Sequence, residues 1–537
     1  MTAAQHAHDP HGHAHQVFRP KLDGGRYVSM GVPIVLVVGI LYAGSQLIGD
    51  LEGSPKTSIL PFILLGVALF IALGFEFVNG FHDTANAVAT VIYTNSLPAP
   101  IAVVWSGMCN FTGVLLSTGA VAFGIVSLLP VELILQVGSS AGFAMVFALL
   151  IAAVIWNLGT WYLGLPSSSS HTLIGSIIGV GIANQLMQGN SGTSGVDWAQ
   201  VEKIGNALWM SPIFGFVMAA TLLVLMRLLV RVPGLFKAPE GHKPPPPAIR
   251  GVLIATCGLV SFFHGSNDGQ KGMGLIMLIL IGVAPTAYAL NGAVRTTDIA
   301  RFVEVAGGAR TVLAAVPGAD AEIAGDPRPA VTKFVSQRTM DETTLPAMIK
   351  LSSEISNAIV GRDSLKDLGP NAVDNVRNDM YLMGEALTRV VKSGKPALSA
   401  DDKAAIGKYQ ASLNQATRFI PDWVKVAVAI ALGMGTMVGW KRIVITVGEK
   451  IGKAHLTYGQ GAAAELTASA TIAAADIYGL PVSTTHVLSS GIAGTMAANG
   501  SGLQWSTVRN LALAWVLTLP ASIMLSALLF YIMVQVF

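Results

Sequence analysis

A polar motif, NGFHDTANAV (residues 79–88), directly follows an apolar run that is long enough for a membrane helix. Asn79 and Asp83 are four residues apart, and Asp83 and Asn86 are three apart, so the three side chains share one helix face. A carboxylate within membrane-spanning sequence costs on the order of a few kcal/mol and indicates a functional site by default. These groups can bind a cation or carry a proton. The alternative is a buried Asp that only joins helices through hydrogen bonds.

The second part of the chain carries a version of this motif. HGSNDGQK (residues 264–271) aligns with NGFHDTAN (residues 79–86), and Asp268 then takes the position of Asp83. His264 and Asp268 repeat the four-residue spacing, while Asn and His exchange places between the two motifs. Because the motif occurs twice at matched positions, a functional site is favoured over a purely structural one.

A second pair of motifs is rich in hydroxyl groups. GLPSSSSHTLIGSIIG (residues 164–179) and GLPVSTTHVLSSGIAG (residues 479–494) are identical at eight of sixteen positions. Pro followed by Ser or Thr and an apolar run predicts a helix N-terminus with hydroxyl caps. Such an N-terminus offers free N–H groups and partial positive charge to a compact oxyanion. Since two Asp motifs in the same cavity would repel an anion, the sequence predicts obligatory cation–anion symport.

The elements that position these motifs are membrane helices. Of the 537 residues 52% are hydrophobic and only 12% charged, and the mean hydropathy is +0.59. Many apolar stretches of about twenty residues can cross a bilayer, and the alternation typical of a membrane β-barrel is not found. The net charge of +3 does not favour nucleic-acid binding. The two cysteines predict neither a disulfide framework nor a metal site.

Charge is concentrated in residues 291–420, which hold 16 of the 33 basic and 15 of the 30 acidic residues. Apolar residues there recur at helical spacing, which predicts a water-exposed helical insertion. Asp83 and His171 are 88 residues apart, whereas Asp268 and His486 are 218 apart, and the difference equals the length of this segment. The pattern therefore predicts two homologous halves with the insertion in the second.

These boundaries divide the chain into seven segments. They are a His-rich tail, an extra transmembrane helix, the first repeat, a Pro-rich basic linker, the first part of the second repeat, the soluble insertion and the remainder of the second repeat: 1–30, 31–57, 58–231, 232–250, 251–290, 291–421 and 422–537. Basic residues near the linker and before the first apolar run predict that the linker and the N-terminus are cytoplasmic.

Together the four motifs closely resemble the signature segments of the inorganic phosphate transporter (Pit) family, specifically its bacterial low-affinity type. The resemblance covers residues 58–290 and 423–537. It implies an all-α polytopic membrane protein of two inverted repeats, with broken or re-entrant helices and about ten to twelve transmembrane spans. It also implies a homodimer in the bacterial cytoplasmic (inner) membrane, in contact with lipid and without a covalently bound cofactor.

The function that the resemblance implies is secondary transport rather than enzymatic catalysis. Bacterial members similar to this chain import inorganic phosphate with H⁺ and carry a neutral complex of hydrogen phosphate with a divalent metal such as Mg²⁺. The chain reads GFHDTANA where Na⁺-coupled members typically read GANDVANA, so His82 argues against Na⁺ coupling. Na⁺-coupled transport, and transport of sulfate or arsenate, are the alternatives.

The resemblance and the local sequence assign roles to individual residues. The expected phosphate ligands are hydroxyl, amide and ammonium groups: Ser168, Ser169, Ser170, Ser483, Thr484, Thr485, Asn86, Asn267 and Lys271. The expected cation- or proton-coupling residues are Asp83, Asp268, His82, His264, Asn79 and Glu465. His171 and His486 are expected to support the helix starts, with a ligand role as the alternative. For Lys271, a position at a cytoplasmic helix end is the alternative.

Two other functional classes are disfavoured. An intramembrane hydrolase would use Ser170 and His171, but adjacent residues point in different directions on a helix, and no Gly-x-Ser-x-Gly elbow occurs. A channel does not need the paired carboxylates and broken helices, which favour an occluded binding site.

The N-terminal tail is not expected to take part in transport. It holds five of the eleven histidines: His6, His8, His11, His13 and His15. Such a tract can bind metal ions weakly, but a solvated tail is the favoured interpretation. Deletion of residues 1–16 is therefore expected to leave phosphate uptake into proteoliposomes unchanged. Loss of uptake in this variant would instead support a metal-handling tail.

Overall fold

The structure is a computed structural model that describes residues 26–52, 59–129, 139–188, 196–241, 243–319 and 325–536, together with residues 321 and 323. The described residues form twenty α-helices, two short 3₁₀ turns and two isolated β-bridges, but no β-strand. The predicted all-α fold is therefore confirmed. The five histidines of the N-terminal tail lie outside the described residues.

Eight helices precede the Pro-rich linker. They are α1 (Arg26–Leu51), α2 (Leu60–Asp83), α3 (Ala85–Tyr93), α4 (Ala99–Leu115), α5 (Ala120–Val126), α6 (Ser140–Tyr162), α7 (Ser169–Gln188) and α8 (Trp198–Leu229). Helix α2 ends at Asp83 and α3 begins two residues later, so the chain breaks inside the first Asp motif.

Twelve helices follow the linker. They are α9 (Pro247–Val283), α10 (Pro285–Tyr288), α11 (Thr296–Ala314), α12 (Arg328–Gln337), α13 (Thr344–Ile359), α14 (Pro370–Ser393), α15 (Ala400–Thr417), α16 (Asp422–Thr436), α17 (Lys441–Glu449), α18 (Tyr458–Ile477), α19 (Thr484–Asn499) and α20 (Trp505–Val536). Helix starts follow from sequence: the Asp197 carboxylate accepts from the N–H groups of Ala199 and Gln200 at the start of α8.

Six spans in the described chain are long and apolar enough to cross a membrane, with α2 and α3 counted as one span. The number rises to eight if each of two sharply bent pairs, α4 with α5 and α15 with α16, is one span. Three further helices are not among these spans: α7 and α18 are rich in Ser, Thr, Gly and Ala, and α19 has only 16 residues. The count of about ten to twelve, which includes broken helices, stays a prediction.

Helices of the two halves are interleaved. Helix α2 packs on α16 and α9 packs on α4, while α7 lies along α20 and α19 lies along α8. Glycine makes the first contact possible, since a Cβ at Gly435 would lie 2.1 Å from the carbonyl oxygen of Phe77. A Cβ at Gly80 would lie 2.2 Å from that of Leu432. Each half therefore completes the packing of the other, and the inverted relation between them stays a prediction.

Helices α11 to α15 form the helical insertion and share a hydrophobic core. Leu351, Met383 and Leu413, from three of these helices, are almost completely buried. Arg328 at the start of α12 donates two hydrogen bonds of 2.7 Å to the carboxylate of Asp379 on α14. This bidentate pair joins two helices of the insertion.

The close contact between α2 and α16 gives a testable prediction. Gly435→Ala is expected to lower the free energy of unfolding by about 1–3 kcal/mol, because the new methyl group meets the backbone of Phe77. Gly74→Ala is the matched control, since a Cβ there has no neighbour within 4 Å among the described residues. Thermal unfolding in detergent micelles measures both effects. Equal melting temperatures for the two variants would contradict the close approach.

Candidate functional site

Asp83 joins two helix N-termini, one from each half of the chain. Its Oδ2 accepts a hydrogen bond from the hydroxyl of Ser169, the first residue of α7. Its Oδ1 accepts one of 3.0 Å from the hydroxyl of Thr485 in the first turn of α19. The carboxylate is almost fully buried, and the partial positive charge of two helix starts stabilises it there.

Hydroxyl caps form both helix starts, as the Pro–hydroxyl–His motifs predict. The Ser168 hydroxyl accepts from the backbone N–H of His171, and the Ser483 hydroxyl accepts from that of His486, both at 3.2 Å. The two imidazole rings lie against each other with centroids 4.6 Å apart. The cap bonds use the backbone N–H groups of the two histidines, so both roles considered for their imidazole rings stay predictions.

Asp268 has different partners from Asp83. It lies within the continuous helix α9, where its Oδ1 is 2.6 Å from the ammonium nitrogen of Lys271. Lys271 also donates a hydrogen bond to the hydroxyl of Ser170, in the first half of the chain. Because Lys271 is completely buried and α9 continues to Val283, the alternative position at a cytoplasmic helix end is wrong.

Asp83, His264 and Asp268 form a buried cluster. One ligand atom from each residue lies within 4.8 Å of the other two, so the cluster could hold a metal ion. Two unit charges about 4 Å apart repel by about 4 kcal/mol at an effective dielectric constant of about 20. Lys271 already offsets part of the charge of Asp268, and a cation between the carboxylates, or a proton on one of them, relieves the repulsion that remains.

Asn110, which the sequence analysis missed, orients His264. Its amide Nδ2 donates to the hydroxyls of Thr84 and Thr436, at 3.2 and 3.1 Å, so its Oδ1 faces the imidazole. His264 Nδ1 lies 2.8 Å from that oxygen and therefore carries a proton. Nε2 is then directed at Asp268, with 3.6 Å between it and Oδ2. This nitrogen can act as a ligand or accept a second proton.

Asn86 and Asn79 extend the hydrogen bonds around Asp83. Asn86 Nδ2 donates to the Thr485 hydroxyl at 3.1 Å and to the carbonyl of Asp83 at 2.8 Å. Asn79 Oδ1 accepts from the Ser169 hydroxyl at 2.7 Å. Both residues therefore contact the hydroxyls that bind Asp83.

Asn267 and His82 hold the extended segments that precede the helix starts. Asn267 donates to the carbonyl of Leu480 at 3.1 Å and accepts from the N–H of Val482 at 3.4 Å. Both ends of its amide are occupied by backbone, so its role as a phosphate ligand stays a prediction. His82 takes the aligned position, and its Nε2 lies 3.5 Å from the hydroxyl of Ser167 in the segment before α7 and 3.2 Å from that of Thr160 on α6. Its Nδ1 lies 2.8 Å from Asp83.

Glu465 lies apart from the cluster of Asp83, His264 and Asp268. It accepts hydrogen bonds from the hydroxyls of Thr90 and Thr256, which lie on α3 and α9. The structure therefore does not place it with the other expected coupling residues.

Glu76 is a buried acid that the expected site residues do not include. A Cβ at Gly272 would lie 2.3 Å from its Oε1, so it packs on the backbone next to Lys271. Its sequence signal is a single acid in an apolar run, two helical turns before Asp83.

The Thr484 hydroxyl, an expected ligand, is buried and has no hydrogen-bond partner among the described residues.

Known proteins similar to this chain are phosphate transporters. The profile of the phosphate transporter family matches residues 79–526. The low-affinity inorganic phosphate transporter PitA of Escherichia coli strain K12 is 42% identical over 490 residues, which cover 88% of this chain and 97% of that protein. A probable low-affinity inorganic phosphate transporter of Bacillus subtilis strain 168 is 28% identical, covering 88% and 98%. A solved structure named the sodium-dependent phosphate transporter is 17% identical with a TM-score of 0.48, covering 88% and 100%.

The buried pair of Asp268 and Lys271 gives the prediction for this site. Lys271→Met is expected to destabilise the protein by about 3–5 kcal/mol, because it leaves the Asp268 carboxylate without its counter-charge. The double variant Asp268→Asn, Lys271→Met removes both charges and is expected to recover most of that loss. Thermal unfolding in detergent compares the variants. If Lys271→Met were as stable as the wild type, the Asp268 carboxylate would not depend on Lys271 as its counter-charge.

Proposed function

Because the chain belongs to the phosphate transporter family, we propose that it is a low-affinity secondary transporter that imports inorganic phosphate together with cations. Like the members of that family it is an integral membrane protein, and its relatives are named as transporters, not as enzymes. A homodimer in the inner membrane of a bacterium belongs to the same proposal.

The observation that carries the proposal is the position of Asp83 between the starts of α7 and α19. The donors that bind this carboxylate are hydroxyls of Ser169 and Thr485 at helix N-termini, which also suit the oxygens of a phosphate. An arriving phosphate therefore competes with Asp83 for the same donors. When a proton or a metal ion neutralises the Asp83 carboxylate, Asp83 releases these donors. This exchange couples the binding of the anion to the binding of a cation.

The cluster of Asp83, His264 and Asp268 supplies the place for that cation. Carboxylate oxygens are the protein ligands that Mg²⁺ prefers, and Mg²⁺ commonly binds one or two carboxylates together with phosphate oxygens. We propose that the metal enters as part of the substrate, in a neutral complex with hydrogen phosphate. Asp83 and Asp268 would hold this metal, which leaves His264 Nε2 free to accept the co-transported proton. A neutral complex avoids placing the full charge of the anion in a low-dielectric interior.

The first test is radiolabelled phosphate uptake into proteoliposomes under an inward H⁺ or an inward Na⁺ gradient, each with and without Mg²⁺. Uptake that requires both the H⁺ gradient and Mg²⁺ supports the proposal. Uptake driven by Na⁺ alone would support phosphate transport but would identify Na⁺ instead of H⁺ as the coupling ion. If phosphate is not taken up under any gradient, sulfate and arsenate are the next substrates to measure.

A substitution at Asp83 tests the coupling role. Asp83→Asn keeps an acceptor for one hydroxyl but removes the charge that binds the cation, so coupled uptake is expected to fall at least about tenfold, or about 1.4 kcal/mol. Asp401→Asn, on an exposed turn of the insertion, is the matched control and is expected to transport normally. Wild-type uptake by the Asp83 variant, with normal folding, would contradict a coupling role.

A further inference from the structure

Contacts between helix ends define a first face of the molecule, the linker face. Arg250 at the start of α9 donates to the carbonyl of Ser96 after α3, at 2.8 Å. The N–H of Tyr458 at the start of α18 donates to the carbonyl of Lys237 in the linker, at 3.3 Å. The end of α3 and the starts of α9 and α18 therefore meet on one side together with the Pro-rich linker.

The helical insertion lies on the opposite face. Helix α9 starts at the linker and is continuous for 37 residues, long enough to carry the chain across the membrane to the insertion. At that far end, Tyr288 donates to the carboxylate of Asp50 at the end of α1, at 2.7 Å. Arg338 of the insertion pairs with Asp197 before α8. The ends of α1 and α9 and the start of α8 share this insertion face.

Basic residues outside the insertion are concentrated at the linker face. The end of α8, helix α17 and the start of α20 also lie there, because Arg227 stacks on Phe236 of the linker, Tyr93 donates to Glu449, and Gln504 donates to the carbonyl of Glu449. Ten basic residues lie in the segments of this face: Arg227, Arg231, Lys237, Lys243, Arg250, Lys441, Arg442, Lys450, Lys453 and Arg509. At the insertion face, the described segments outside the insertion contain only Lys203 and Lys425. Lys and Arg in short connections favour the cytoplasmic side, whereas long inserted segments follow no such bias. The linker face is therefore cytoplasmic and the insertion faces outward.

A cavity of about 670 Å³ lies between the insertion and the membrane helices. Lys203 of α8 lines it on the membrane side, and Lys392 of α14 and Arg418 line it on the insertion side. An adjoining cavity of about 250 Å³ adds Arg338 and Arg389. Five cationic side chains from two parts of the protein therefore line these two cavities.

The acids in these two cavities do not cancel this charge. Asp197 pairs with Arg338 and is 3.8 Å from Arg389, and Glu385 is 3.7 Å from Arg418. These are the two acids that line the cavities. Lys203 and Lys392 have no carboxylate within 4 Å in the part of the chain that the structure describes. Five cations and two acids leave a net positive charge.

The floor of the larger cavity is connected to α9, the helix that carries Asp268. The turn at Gly479 contacts Ala120, and both residues line the cavity. Beneath them Gln270 accepts from the N–H of Val121 at 2.9 Å and donates to the carboxylate of Asp476 at 2.7 Å. Gln270 lies on α9 two residues after Asp268, so the floor of the cavity is hydrogen-bonded to the helix that carries one residue of the cation cluster.

We propose that this cavity is the outer vestibule of the transporter and that the insertion supplies one of its walls in order to collect oxyanions. A cleft lined by charge of one sign raises the local concentration of the opposite ion and its association rate by about 10–1000-fold, and salt screens the effect. The collected anion is inorganic phosphate or its metal complex, which rests on the proposed function. The insertion thereby raises the rate at which the anion is captured and leaves the binding site unchanged.

The side of the insertion is tested by cysteine labelling in intact cells. Cys109→Ala and Cys257→Ala remove the native thiols, and Lys403→Cys then reports on the insertion and Lys243→Cys on the linker. A membrane-impermeant maleimide is expected to label residue 403 in intact cells and residue 243 only after permeabilisation. The reverse pattern would overturn the outward position of the insertion.

The collecting role is tested by phosphate uptake into cells that lack other phosphate transporters. In Lys203→Gln, Lys392→Gln the KM is expected to rise about three- to tenfold at low ionic strength, with the maximal rate unchanged and the difference lost at high salt. Lys403→Gln, Lys408→Gln removes the same charge from exposed sites that do not line the cavity.

Equal KM values for the two double variants would overturn the collecting role. A wild-type chain that takes up no phosphate would overturn the proposed function, and with it phosphate as the collected anion. The labelling result does not depend on transport and would still decide the side.

Discussion

The contact on which the site depends is the single carboxylate of Asp83 between two helix N-termini. A buried carboxylate is stable only when several donors satisfy it, and here the donors come from α7 and α19, more than three hundred residues apart in sequence. The break between α2 and α3 puts Asp83 at the end of a helix, from which it reaches both. The same contact joins the two halves of the chain.

The two Asp motifs are related in sequence but act differently in the structure. Asp83 is bound by hydroxyl groups, whereas Asp268 is paired with the ammonium group of Lys271. The alignment explains the difference, because Lys271 takes the position of Asn86. Asp83 is therefore held by neutral donors, whereas the counter-charge of Asp268 lies one helical turn away on the same helix. The duplicated motif thus provides two different environments for its carboxylate.

The sequence predicted the features that depend on residues close together in the chain. The all-α fold and the caps at Ser168 and Ser483 follow from apolar runs and from Pro–hydroxyl patterns, and the structure confirms them. The orientation of His264 by Asn110 was not predictable, because Asn110 lies in a charge-free stretch and reaches the site only through the packing of α4 on α9. The separation of Glu465 from the cluster likewise depends on which helices become neighbours, and no spacing in the sequence encodes that.

The interleaving of the halves has a consequence for biosynthesis. The glycine surface of α7 is covered by α20, where a Cβ at Gly179 would lie 2.2 Å from the carbonyl of Ile523. Ribosomes deliver the N-terminal half first, and α20 begins more than three hundred residues after α7 ends. Until α20 has been synthesised, α7 lies in the membrane without this partner. Packing of the first half is thus timed by synthesis of the second.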